Sequence, residues 1–131
     1  MDAREEEVAT IRAFLHKPRQ ERVLFLLAHK ARRIDFTQEL YHFKWLDERY
    51  AKLIDPKIAH TVDEIARMLR QKGAGETAYA ISADIAIDGR RLPLEYALNY
   101  IWGREIGTIL SCVPGKLGYF EDEEQSRLLE R

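Results

Sequence analysis

Two carboxylates and a hydroxyl group stand close together in the sequence, at the end of a segment that alternates like a β-strand. Ser82, Asp84 and Asp88 follow residues 77–81, in which bulky and small side chains alternate. Loops that follow strands often carry functional groups. Carboxylate oxygens suit Mg²⁺ or Ca²⁺, but two carboxylates are too few for a calcium-binding loop, and the Asp88-Gly89 pair is typical of a tight turn. These three residues are therefore candidate ligand-binding residues in a segment that we expect to be mainly a turn.

The cysteine and the four histidines form no recognisable catalytic or metal-binding pattern. Cys112 stands between apolar residues of a strand-like segment, which favours a small buried hydrophobic residue over a nucleophile. The histidines His16, His29, His42 and His60 lack the paired spacing of a helical zinc site. The sequence therefore predicts no catalytic residue, no metal and no cofactor.

Positive charge is concentrated between residues 12 and 33. This segment holds seven cationic side chains and one acidic one, a local formal charge of +6. Aromatic residues follow at Tyr41, Phe43 and Trp45, so an RNA-binding accessory protein is one alternative. Because the whole chain has a net charge of -1, a surface for an acidic protein partner is favoured over nucleic acid. The candidate residues of this basic face are Arg19, Arg22, Lys30, Arg32 and Arg33.

The acidic run at residues 121–124 has the opposite charge. We expect it at the exposed tip of a C-terminal hairpin, where carboxylates protect strand edges from aggregation. It also offers a surface to a basic partner or to the basic face of a second copy, which leaves a homodimer open.

Length and composition favour one soluble domain over residues 1–131. The hydrophobic fraction is 46% and the charged fraction 33%, typical of a globular chain. The first residues lack a signal-peptide pattern, so a cytoplasmic location is expected. The longest apolar run, residues 23–28, is too short to cross a bilayer, so no membrane role is expected.

Helical patterns dominate residues 1–73. One helix is expected before Pro18 and another after it. Asp35 and Asp47 are each predicted to cap a further short helix. A capping box at Thr61 and Glu64 predicts a further helix that ends near Gly73.

Residues 76–131 show a strand–helix–strand–hairpin pattern. Strands are predicted at 77–82 and 107–113, with a minor hairpin or loop at 85–89 and a crossover helix opened by Pro93 and closed by Gly103. The turn at Pro114-Gly115 predicts an antiparallel partner strand up to residue 120, and a last strand is predicted near 126–129. Because the 107–113 segment is apolar on both alternating faces, both surfaces of its sheet must be covered.

The predicted fold is therefore α+β: about five helices packed on a small mixed sheet of three to four strands. The crossover helix would make the strands at 77–82 and 107–113 parallel. The favoured function is a non-enzymatic protein-binding or regulatory module that acts through charged surfaces. One alternative is a small enzyme or ligand-binding protein with a pocket near Ser82 and Asp84, where the 113–115 turn would converge with them.

Overall fold

A computed structural model describes residues 1–57 and 59–131, and one six-stranded sheet separates two layers of helices in it. The α-helices are α1 (Ala3–Phe14), α2 (Lys17–Ala28), α3 (Arg33–Thr37), α4 (Val62–Gln71) and α5 (Leu94–Ile101), and 3-10 helices lie at Lys30–Arg32 and Gln38–His42. The strands are β1 (Ala51–Leu53), β2 (Thr77–Ser82), β3 (Arg91–Pro93), β4 (Thr108–Val113), β5 (Leu117–Glu121) and β6 (Ser126–Glu130). The α+β class is confirmed, but the predicted count of three to four strands is too low.

The strand order is β1-β6-β5-β4-β2-β3, and every pair of neighbours is antiparallel. Strands β4, β5 and β6 form the meander predicted from the Pro114-Gly115 turn. Strand β1 adds to the far side of β6, so β6 lies inside the sheet.

The predicted parallel pairing of β2 with β4 is wrong. Ser82 lies opposite Thr108 and Tyr79 opposite Ser111, which is an antiparallel register. The physical reason is β3, which pairs with β2 and reverses the chain before α5 begins. Helix α5 therefore connects β3 with β4, which run parallel to each other on either side of β2. Ser82 and the 113–115 turn consequently lie at opposite ends of β4, and they do not converge.

Both faces of the sheet are covered, as the apolar pattern of residues 107–113 predicts. Tyr79 and Ile109 belong to the core beneath α1, α2 and α3, whereas Ala80 and Leu110 belong to the core beneath α4 and α5. Cys112 faces the second core and is 8% exposed. Burial raises the pKa of its thiol to about 12, so the side chain is a packing group.

Local capping signals predict some helices correctly and others wrongly. Thr61 Oγ1 accepts a hydrogen bond from the Glu64 backbone N–H at 3.2 Å, and α4 ends just before Gly73, whose φ is 114°. Helix α3, however, begins at Arg33, upstream of the predicted cap Asp35. Asp47 introduces a turn into β1 instead of a helix, because residues 51–53 pair with residues 127–129 of β6.

Candidate functional site

The fold brings together residues that the sequence analysis placed in two separate candidate sites. Arg33, from the basic segment, forms a bidentate pair with Asp88 through Nε and Nη2 at 2.9 and 3.0 Å. The Ser82 backbone N–H donates to the same carboxylate at 3.0 Å, and Ser82 Oγ lies 2.8 Å from Thr108 Oγ1. Ser82 and Asp88 are thus joined to the N-terminal helical layer by Arg33.

Helix α1 supplies the second acid of this cluster. Arg33 Nη1 donates to Glu7 Oε1 at 2.9 Å, and the Tyr79 hydroxyl donates to Glu7 Oε2 at 2.6 Å. Glu7 is 3% exposed, so it is a buried charge that must be paired. We call Glu7, Arg33, Tyr79, Ser82 and Asp88 the Arg33 network.

The charged groups of the Arg33 network are paired with one another. Burial disfavours the charged guanidinium, but the hydrogen bonds and negative charges of Asp88 and Glu7 outweigh it and raise the pKa of Arg33. Burial next to Glu7 raises the pKa of Tyr79 and keeps its phenol neutral. Each charged group of the network therefore has its partner within the protein.

A shallow cavity of about 470 Å³ lies beside the Arg33 network. Ser82, Asp88 and Lys30 line it, together with Ile34 and Ile85. Asp84 does not line it: its carboxylate accepts from the Tyr100 hydroxyl at 2.7 Å and from the Ala86 backbone N–H at 2.9 Å. The two aspartates thus have separate partners.

The basic segment is largely neutralised by ion pairs. Arg12 pairs with Glu21, Arg19 with Glu39, Arg32 with Asp35, and Arg33 belongs to the network above. The guanidinium of Arg19 also lies 4.5 Å from the ring centroid of Trp45. Among the described residues, Lys17, Arg22 and Lys30 of this segment have no carboxylate within ion-pair distance.

A larger groove, of about 850 Å³, has a lining rich in acidic residues, and we call it the acidic groove. It is built from the end of β1, the segment before α4, the turn after α5 and the connection between β5 and β6. Its apolar lining residues are Leu53, Ile54, Pro56, Ala59, Ile65 and Trp102. Its acidic lining residues are Asp55, Glu105, Glu121, Asp122, Glu123 and Glu124. The described lining contains no lysine or arginine, and His60 is its one group that can carry positive charge.

The acidic run at residues 121–124 was predicted to be exposed, and this prediction is correct for two of its four residues. Glu121 and Asp122 are 6% and 5% exposed, whereas Glu123 and Glu124 are exposed. Asp122 Oδ1 accepts backbone hydrogen bonds from Glu124 at 2.8 Å and Gln125 at 2.9 Å, which fixes the turn between β5 and β6. The turn is therefore organised by an inward carboxylate and presents the next two to solvent.

Glu121 is a buried acid at the wall of the acidic groove. Its Oε1 accepts a hydrogen bond from the Tyr119 hydroxyl at 2.7 Å. Burial raises the pKa of Glu121, and the neighbouring charge of Asp122 adds to this effect, although hydrogen bonds from Tyr119 and the Gly103 backbone oppose it. A carboxyl group with a raised pKa in a large groove is a typical feature of a functional site.

Backbone strain occurs in the same groove. Glu105, in the turn after α5, has a φ of 61°, and it is the one described non-glycine residue with a positive φ. An acidic side chain in this conformation costs free energy that glycine would avoid. The lining thus contains a carboxylate on a residue whose backbone conformation is unfavourable for any side chain.

The sequence analysis missed the acidic groove because its walls come from four separated segments. The acidic run at 121–124 and the exposed His60 were visible, but their proximity to Leu53 and Trp102 depends on the sheet order. The sequence gives one signal for this groove: four consecutive acidic residues, 121–124, directly follow a predicted strand that has no alternating polar residues.

Comparison of the chain with protein-family models, with curated proteins and with solved structures finds no match in any of the three. Among the described residues, no helix has the length and apolarity needed to cross a bilayer. Function is therefore argued from the site alone.

Proposed function

We propose that the protein is a binding module that accepts a basic, partly apolar segment of a partner protein in the acidic groove. The observation that carries this proposal is the lining itself, in which six carboxylates surround an apolar floor without a lysine or arginine among the described residues. The proposal keeps the protein-binding module expected from the sequence but assigns its binding surface to the acidic groove instead of the basic face.

Charge complementarity argues for a cationic occupant. Glu121 and Asp122 are buried and hydrogen-bonded within the protein, so the exposed acids of the lining remain for an occupant. Like charges among these exposed acids repel each other, and a basic segment would relieve that repulsion. The exposed members Glu105, Glu123 and Glu124 are placed to meet cationic side chains at the rim, where such contacts favour fast and specific association.

The apolar floor argues for an occupant that also carries hydrophobic side chains. Leu53 is 64% exposed and Trp102 37% exposed, and both line the groove. Exposed tryptophan is typical of the centres of protein interfaces. A volume of about 850 Å³ holds several side chains rather than a whole domain surface.

The Arg33 cavity offers a weaker candidate site. Asp88 is already occupied by Arg33 and by the Ser82 backbone, so the polar groups that would orient a ligand there are used within the protein. The basic face of a second copy is also a weaker occupant for the acidic groove, because three of its five cations have partners in their own chain.

The test uses a fluorescent peptide of alternating lysine and leucine, with a glutamate–leucine peptide as its counterpart, and measures fluorescence anisotropy. We expect saturable binding of the basic peptide that weakens with added salt. Glu123→Gln combined with Glu124→Gln should weaken binding about tenfold, because each exposed ion pair contributes up to about 1 kcal/mol.

The matched control is Glu48→Gln combined with Glu76→Gln. This pair removes the same charge from exposed positions outside the groove and should leave the affinity within about twofold of the wild type. Equal weakening by both double variants, or equal binding of the acidic peptide, would contradict the proposal.

A further inference from the structure

The structure also brings together three metal-binding side chains at the edge of the acidic groove. His42 ends the 3-10 helix Gln38–His42, and Glu123 and Glu124 lie in the turn between β5 and β6. His42 Nε2 lies 2.7 Å from Glu123 Oε1, and His42 Nδ1 lies 3.6 Å from Glu124 Oε1. One possible ligand atom from each of the three residues lies within 4.8 Å of the other two.

We infer that His42, Glu123 and Glu124 bind a divalent transition-metal ion such as Zn²⁺. Imidazole nitrogen and carboxylate oxygen are both zinc ligands in proteins, and a site with three protein ligands leaves a fourth position to water. With bonds of about 2.0–2.1 Å, tetrahedral ligand atoms lie roughly 3.3 Å apart. The two carboxylates lie against different nitrogens of the imidazole, and an ion takes only one of them, so one glutamate side chain must rotate towards the ligating nitrogen to complete the site.

The imidazole distinguishes this cluster from ordinary surface acids. It comes from the helical layer, 81 positions before Glu123 in the chain, and the fold places it against two carboxylates. Mg²⁺ and Ca²⁺ prefer oxygen ligands throughout, so the nitrogen donor selects a transition metal over either of them.

The backbone holds the two carboxylates in place. Asp122 Oδ1 accepts from the backbone N–H groups of Glu124 and Gln125, so the turn that carries both glutamates is fixed without using their side chains. Both glutamate side chains are thus available to the ion.

The experiment is an isothermal titration of the full chain with Zn²⁺ alone. We expect one saturable site per chain, and about tenfold or greater loss of affinity in His42→Ala, since even losing an outer-shell partner costs this much. The His42 side chain is 65% exposed, so its removal leaves the core intact.

His60→Ala is the matched control. The His60 side chain is also 65% exposed and has a single carboxylate partner, Glu64, at 3.4 Å. The control should bind Zn²⁺ like the wild type, and Glu124→Gln should weaken binding in the same direction as His42→Ala. Absence of saturable binding, or equal loss in both histidine variants, would overturn the inference. The titration contains no peptide, so neither result depends on peptide binding, although Glu123 and Glu124 belong to both sites and Zn²⁺ should compete with a basic peptide for them.

Discussion

The Arg33 network and the acidic groove are two concentrations of charge built on opposite principles. In the Arg33 network, a half-buried guanidinium joins Glu7 to Asp88, and opposite charges lie within hydrogen-bonding distance of each other. In the acidic groove, six carboxylates share one lining without a guanidinium or an ammonium among the described residues. The charges of the first arrangement have partners within the protein, whereas the second arrangement has no lysine or arginine partner in its described lining, and the proposed basic segment would supply one.

The largest expected effect comes from opening the closed network. Arg33→Met leaves Glu7 and Asp88 without their partner in a buried setting, so we expect the free energy of unfolding to fall by about 3–5 kcal/mol. Urea denaturation followed by circular dichroism measures this loss.

The neighbouring Arg32→Met is the control, because Arg32 forms an exposed pair with Asp35 and its loss should cost about 1 kcal/mol or less. Similar losses in the two variants would show that the network does not stabilise the fold more than a surface pair.

A smaller effect of opposite sign is expected in the acidic groove. Glu105→Gly removes one of the like charges and relieves a positive φ, so we expect the free energy of unfolding to rise by about 1 kcal/mol. The same variant should weaken binding of the basic peptide. A loss of stability would show that Glu105 makes a favourable contact that outweighs the like-charge repulsion and the backbone strain.

The smallest effect is a pH dependence at Glu121. Because burial raises its pKa in the folded state above the ordinary value of 4.5, the folded protein binds more protons than the unfolded chain between the two pKa values. The contribution of Glu121 to stability is therefore present below pH 4.5 and is lost as the pH rises through the folded-state pKa.

Glu121→Gln should remove this loss, since the amide oxygen still accepts from the Tyr119 hydroxyl. We expect the variant to be more stable than the wild type at pH 7 and to lose that advantage below pH 4.5. Parallel urea denaturation at both pH values measures the difference, and an advantage that persists in acid would refute this cause.

The sequence predicts the elements whose signals are local. Thr61, Gly73 and the Pro114-Gly115 turn determine nearby backbone geometry, and the helix and hairpin that they predict are present. The alternation of small and bulky residues in β2 also corresponds to the two faces of this strand, because Ala78 and Ala80 lie in the core that includes residues of α5.

The rest depends on contacts between distant residues. Strands β1 and β3 have three residues each, and their pairing with β6 and β2 makes them strands. No local pattern distinguishes the buried Glu7 from the exposed Glu5, because the difference is the presence of Arg33 and Tyr79. The acidic groove was missed for the same reason, since four segments build it.

The interior position of β6 bears on how the molecule folds. Residues 126–130 pair with β1 on one side and with β5 on the other, so they fill the gap between these two strands. Contacts between such widely separated residues slow folding, and the edge strand β1 cannot dock until β6 has taken its place. Because β1 and the β5–β6 turn both supply lining residues of the acidic groove, the groove forms only when the sheet is complete. The proposed binding of a basic peptide would therefore follow completion of the sheet during folding.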